Sequence, residues 1–212
     1  MSLLSLRRRR LAAQKGFNLI EAAIVLGIVG LVVGGIWVAA TSVYANLRSK
    51  TASDQLVKIT QSVRSLYATS ASMGTLAAVD VTALMAQANI LPGDTMTTTA
   101  AATTSANTAN PWNGQVGIVA TAAANATAFA VVFSNVPPAA CVDFVMRNGG
   151  SAHDTGMTSI AGAATAQPAV IPAGNVQAMT VGNAITLAQA QTVCQSAAVA
   201  PRNVGFVFNL RG

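Results

Sequence analysis

Glu21 is the only carboxylate in the long apolar run KGFNLIEAAIVLGIVGLVVGGIWVAA, residues 15 to 40. An acid at the edge of a lipid-exposed span costs on the order of a few kcal/mol unless something neutralises it, so its use requires a partner cation. Cys141 and Cys194 are the only cysteines and can oxidise to a single disulfide. His153, the one histidine, lies beside Gly149, Gly150 and Gly156 and reads as a solvated loop residue. A single imidazole without clustered partners is not a zinc site, so no metal is expected. The remaining carboxylates, Asp54, Asp80, Asp94, Asp143 and Asp154, form no close pair in sequence, which leaves acid/base catalysis without a candidate. No Walker loop and no Gly-x-Ser-x-Gly elbow occurs. The residues therefore predict no catalytic site, no cofactor and a structural role. Low charge with abundant Ala and Thr suits a body that packs against copies of itself.

The elements around Glu21 say where the chain sits. Arg7, Arg8, Arg9, Arg10 and Lys15 precede a stretch, Ala22 to Asn46, in which Tyr44 is the only ionisable side chain. At about 1.5 Å per residue that stretch makes around 36 Å of helix, enough to cross a hydrocarbon core of about 30 Å. Basic residues before the span predict an N-terminus left in the cytoplasm and a body moved outward. Without residues 1 to 16, seven basic side chains face six acidic ones. The net charge of +6 thus belongs to a leader and is no sign of nucleic-acid binding. In an oxidising exterior Cys141 and Cys194 should pair. Such a bond closes a loop of roughly 50 residues and stabilises by about 4 kcal/mol in the chain-entropy account.

Three readings of the N-terminus compete. A secretory signal has a candidate cleavage site at Val43-Tyr44-Ala45, but the apolar stretch exceeds the usual length and Glu21 interrupts it. A plain membrane anchor fits the length and leaves Glu21 without a role. The third takes Lys15-Gly16-Phe17-Asn18-Leu19-Ile20-Glu21 together with the helix that follows. This motif resembles the prepilin, or class III, signal of type IV pilins and pseudopilins.

The resemblance implies cleavage by a prepilin peptidase after Gly16 and methylation of the new N-terminal residue, Phe17. It also gives Glu21 a role: in assembly its carboxylate meets the α-amino group of Phe17 on a neighbouring subunit. Two charges that are costly alone then neutralise each other and set the axial register of a filament. The implied division is a leader at 1–16, a hydrophobic transmembrane or filament-core helix at 17–46, its amphipathic continuation at 47–70 and a globular head at 71–212. The implied partners are copies of the chain itself, the prepilin peptidase, a pilus assembly platform with its ATPase, and the inner membrane before assembly. The implied destination is the cell surface.

Glycines 27, 30, 34 and 35 lie inside the span, and Gly30-x-x-x-Gly34 has the small-residue spacing that allows close helix approach. Each also lowers helix propensity by about 1 kcal/mol relative to Ala, so within a filament the helix is expected to stretch or unwind over residues 27 to 35. The mid-helix proline of many type IVa pilins is missing, and Val38 stands at the matching position. Beyond the span, Leu56, Ile59, Val63 and Leu66 recur at helical spacing between charged residues, which continues the helix to about Ala68.

In the head, residues 79 to 86 read as a second helix, and Pro92-Gly93 as a turn. The Thr/Ala-rich stretch 95 to 110 reads as an exposed loop. Gln115 to Ala120, Ala128 to Ser134 and Val204 to Asn209 read as strands, the last of them closing an antiparallel sheet over the helix. Helical patterns around Cys141 and Cys194 make the segment between them a stapled lobe. The basic leader, the Asn-Pro-Trp turn at 110 to 112, the large head and the widely spaced cysteines resemble the PilS-type branch of type IVb pilins. The expected class is thus α+β, the type IV pilin fold. The function this implies is a major pilus subunit for adhesion, conjugation or aggregation. A minor pilin or tip adhesin, and a pseudopilin of a type II secretion system, are the alternatives.

Overall fold

The computed structural model describes residues 18–76, 80–97, 108–122, 124–163, 170–172, 174–180, 182–194 and 201–211. Gly16, Phe17, Val79 and most of the Thr/Ala-rich loop lie outside them. The described chain begins with helix α1, Leu19–Leu66, of 48 residues. Glu21 in its first turn and Arg64 in its last complement the helix macrodipole. The helix ends two residues before the expected Ala68, in a turn at 67 to 69. Two compact units divide the chain, one up to Val43 and one from Tyr44 onward.

The described part of the first unit, residues 18 to 43, is apolar helix whose side chains lie almost wholly uncovered, including Leu26, Leu31 and Trp37. The second holds the remaining elements: α2 (Thr82–Gln87), β1 (Val116–Ala120), β2 (Ala128–Val136), α3 (Pro138–Gly149), β3 (Met157–Ala163), β4 (Asn175–Ala178), α4 (Leu187–Cys194) and β5 (Arg202–Asn209). The five strands form one antiparallel sheet in the order β1-β2-β5-β3-β4.

Two features depart from the sequence reading. The strand expected to close the sheet, β5, lies at its centre, paired with β2 through Phe129↔Phe208 and with β3 through Ile160↔Phe206. The segment between the cysteines also contributes β3 and β4 to the same sheet. Gly162 shows why β3 is hard to read. The α4 backbone approaches so closely that a Cβ at Gly162 would collide with the Val193 carbonyl, so the position excludes the bulky residues that mark a strand.

The main core lies between one sheet face and the helices. The α1 stripe Ala52, Leu56, Ile59 and Val63 is at most 2% exposed and joins Phe129, Phe133 and Phe206 from the sheet. Phe144 of α3 meets Trp112, Phe133 and Phe206 edge-on, with ring centroids 5.1 to 5.2 Å apart, a preferred aromatic geometry. The opposite face of the sheet buries a smaller cluster of Val119, Ala130, Val132 and Val207, packed by Ile171. The free edge of β1 is occupied: Val81 N–H donates to the Ile118 carbonyl at 2.9 Å, and Ile118 N–H to the Thr82 hydroxyl at 2.8 Å. Covering this edge removes a template for unwanted strand pairing.

The Asn-Pro-Trp turn is held by Asn110, which is 5% exposed. Its side-chain oxygen accepts from Trp112 N–H at 2.9 Å and Gly114 N–H at 3.0 Å. Its amide donates to the Ser134 carbonyl at 2.7 Å and the Gln115 carbonyl at 3.3 Å. The turn is thereby fastened to the end of β2, and Trp112 is aimed at Phe144. Gly114 cannot carry a side chain, because a Cβ would strike the Ser134 carbonyl. Asn110→Ala leaves the buried Trp112 N–H and Ser134 carbonyl without these bonds, together with the half-buried Gly114 N–H, and should destabilise the head by about 3 kcal/mol, read as a lowered denaturant midpoint with an unchanged m-value.

Candidate functional site

Two parts of the molecule carry the residues singled out from sequence for a role, and a third emerges only from the fold. The first is the N-terminal half of α1. Asn18 opens it: its carbonyl accepts from Ala22 N–H at 3.1 Å and its side chain from Ile20 N–H at 3.4 Å. Glu21 follows in the first turn, exposed and without a hydrogen-bond or ion-pair partner among the described residues. Gly30 and Gly34 lie on one face of the helix, and a Cβ built at either meets nothing within 4 Å. The helix is long and apolar enough to cross a membrane. A surface of this kind, with Leu19, Leu31, Trp37 and Val38 all more than two-thirds exposed, has no stable place in water. It needs lipid or other protein around it.

The second part is the disulfide. Cys141 of α3 and Cys194 of α4 are bonded, with Cα atoms 5.9 Å apart and a sequence separation of 53. Both are buried. The bond ties α3 to α4 across the region that supplies β3 and β4, and a loop of this length corresponds to about 4 kcal/mol.

Sequence reading missed the third part, the attachment of α1 to the head. Arg64 donates to both oxygens of Asp154, at 2.7 and 2.9 Å, and through Nε to the Asn209 carbonyl at 3.1 Å. Its guanidinium also lies 5.8 Å from the centre of the Phe208 ring, within cation–π range. Further along, Asn148 donates to the Ser53 hydroxyl at 3.0 Å and Gln55 to Asp94 at 3.2 Å. Arg64 shows in sequence only as a basic residue in a last helical turn. Its partner is 90 positions away in a glycine-rich loop, so no local pattern joins them. His153, read as a solvated loop residue, is half-buried beside this pair with Nδ1 2.7 Å from the Gly150 carbonyl. Among the described residues no cluster of His, Cys, Asp and Glu could hold a metal ion.

Partial burial pushes the Asp154 carboxyl up, but hydrogen bonds from Arg64 and Gly156 N–H and the Arg64 charge outweigh it and hold it below its ordinary 3.8. Asp143 is lowered in the same way, its burial outweighed by Arg147 and a contribution from Ser49. A carboxyl more acidic when folded stabilises the protein above its unfolded value, and that contribution is lost as pH falls through the folded value. Asp154→Asn should therefore reduce the loss of stability between pH 5 and pH 2 without removing the share that Asp143 contributes. Denaturant titrations across that range measure both.

The PilS N-terminal family matches residues 46–208, most of the chain. Among solved structures, the chain is similar to TcpA, a type IV pilin from Vibrio cholerae El Tor biotype, at 15% identity and a TM-score of 0.51, over 76% of this chain and 98% of that one. It is also similar to the type IVb pilin from Salmonella typhi, at 18% identity and a TM-score of 0.48, over 74% and 99%. No curated protein sequence matches it. The antiparallel sheet on a long N-terminal helix, the disulfide and the family match converge: this chain belongs to the PilS family of type IV pilins, structural subunits of pili and not enzymes.

Proposed function

We propose that this chain is the major subunit of a type IVb pilus, a surface filament for adhesion, conjugation or aggregation. The observation that supports this reading most directly is the uncovered apolar surface of α1, which a packed bundle of identical helices would bury. Residues 1 to 16 serve as a leader that the prepilin peptidase removes after Gly16, and Phe17 becomes a methylated N-terminus. The subunit waits in the inner membrane with its head outside, and an assembly platform with its ATPase passes it to the growing filament. Residues 17 to 46 then form the filament core, 47 to 70 the stalk of the head, and 71 to 212 the head.

Glu21 is the reading's electrostatic centre. In a low-dielectric bundle an unpaired carboxylate and an unpaired amine are each strongly unfavourable, and pairing removes both penalties. Only one axial placement of neighbouring subunits brings Glu21 to Phe17, so the pair selects the register. Gly30 and Gly34 leave room for helices to approach closely at mid-span.

Glu21→Ala should insert into the membrane normally, fold its head and yield few filaments; normal filament yield from this variant would remove the assigned role. The processing step is checked by intact mass and N-terminal sequencing of protein sheared from cell surfaces. A chain beginning with methylated Phe17 and abundant in that fraction is expected. A chain beginning at Asn46 would mean an ordinary secreted protein, and one that is rare and confined to filament ends would mean a minor subunit.

A further inference from the structure

A cavity of about 160 Å³ opens on the flank of α1 in the head, between that helix, the last turn of α3 and the 152 to 157 loop. Its floor is apolar: Leu56, Met157 and Phe208 line it and are at most 3% exposed. Its mouth is formed by Gln61 and Ala152, both exposed. The volume is close to that of an apolar protein cavity that takes up benzene, about 150 Å³. One aromatic ring or a branched aliphatic group would fill it.

Polar groups of the lining have unused hydrogen-bonding capacity. Thr60 also lines the cavity, is 3% exposed, and its hydroxyl has no hydrogen-bond partner. A buried hydroxyl of this kind is an unmet demand for an acceptor. Arg147 uses Nε to reach Asp143 at 2.8 Å, while its two terminal nitrogens have no partner among the described residues. The fork of an arginine matches a carboxylate better than any other common anion of this size. Asp154, the carboxylate in the lining, has both oxygens engaged by Arg64 and adds little repulsion. His153 is held through Nδ1, which leaves Nε2 without a partner among the described residues.

We propose that this cavity binds a small monocarboxylic acid with an aromatic or branched apolar body. The apolar part lies over Met157 and Phe208, and the carboxylate meets the free side of the Arg147 guanidinium. Rotation about χ1, which helices permit for threonine, would carry the Thr60 hydroxyl toward the bound acid as a second donor.

Titration calorimetry of sodium benzoate into the full chain dispersed in detergent, at constant ionic strength, tests the assignment. Saturable binding at one site per chain is expected, with a dissociation constant in the millimolar range or below. Arg147→Gln should weaken it by about tenfold or more, and Gln61→Trp, at the exposed mouth, should abolish it without touching the core. The absence of saturable heat, or binding unchanged in both variants, would overturn the proposal. Because the chains are dispersed, such a result would leave the filament reading standing, and a failure to form filaments would leave this one standing.

Discussion

The head depends on a stripe of four side chains. Ala52, Leu56, Ile59 and Val63 fall on one face of the C-terminal half of α1, and the main hydrophobic core includes them together with the phenylalanines of β2 and β5. A helix with that stripe but no sheet would expose it, and the sheet without the helix would leave Phe129, Phe133 and Phe206 uncovered. Neither layer is stable alone, which is the usual condition of a two-layer fold. The hydrogen bonds that fasten α1 fix its placement more than they add net energy. Arg64 reaches β5, a glycine-rich loop and an aromatic ring at once, and one guanidinium cannot do that in any neighbouring register.

One helix therefore answers to two environments. Up to Val43 its surface is apolar on all sides and uncovered; beyond that, only one face is apolar. The change from all-round to one-sided hydrophobicity follows from the loss of charged residues before Asn46 and their return at Arg48, Lys50, Asp54 and Lys58. Both halves keep the same secondary structure because neither contains proline. What changes is the solvent each half requires.

Much of this was legible in the sequence. The apolar helix, its amphipathic continuation, three strands and the helices around both cysteines follow from periodicity and composition. What was not legible has physical causes. In β3, MTSIAGA carries small residues because α4 packs directly on its backbone, and β4 has only four residues. The central place of β5 is a property of the tertiary arrangement, for which its own sequence of Val and Phe offers no sign beyond burial on both faces. At the candidate site, Glu21 and the cysteines stand out by their isolation in apolar or charge-poor surroundings. Asn110 and Arg64 do not, since their importance lies in partners distant in the fold or in the backbone of a turn.

The placement of β5 also orders events in time. It follows β1, β2, β3 and β4 along the chain, yet it is the strand that joins the first pair to the second. During synthesis the chain can form the β1-β2 hairpin and pair β3 with β4, and the Cys141–Cys194 bond can tie α3 to α4, but no strand joins the two halves of the sheet until residues 202 to 209 emerge. Until then Phe129 and Ile160 lack their partners on β5, and the core around the α1 stripe lacks Val204, Phe206 and Phe208. The sheet cannot be completed gradually from one edge, because its central strand is the last to be made.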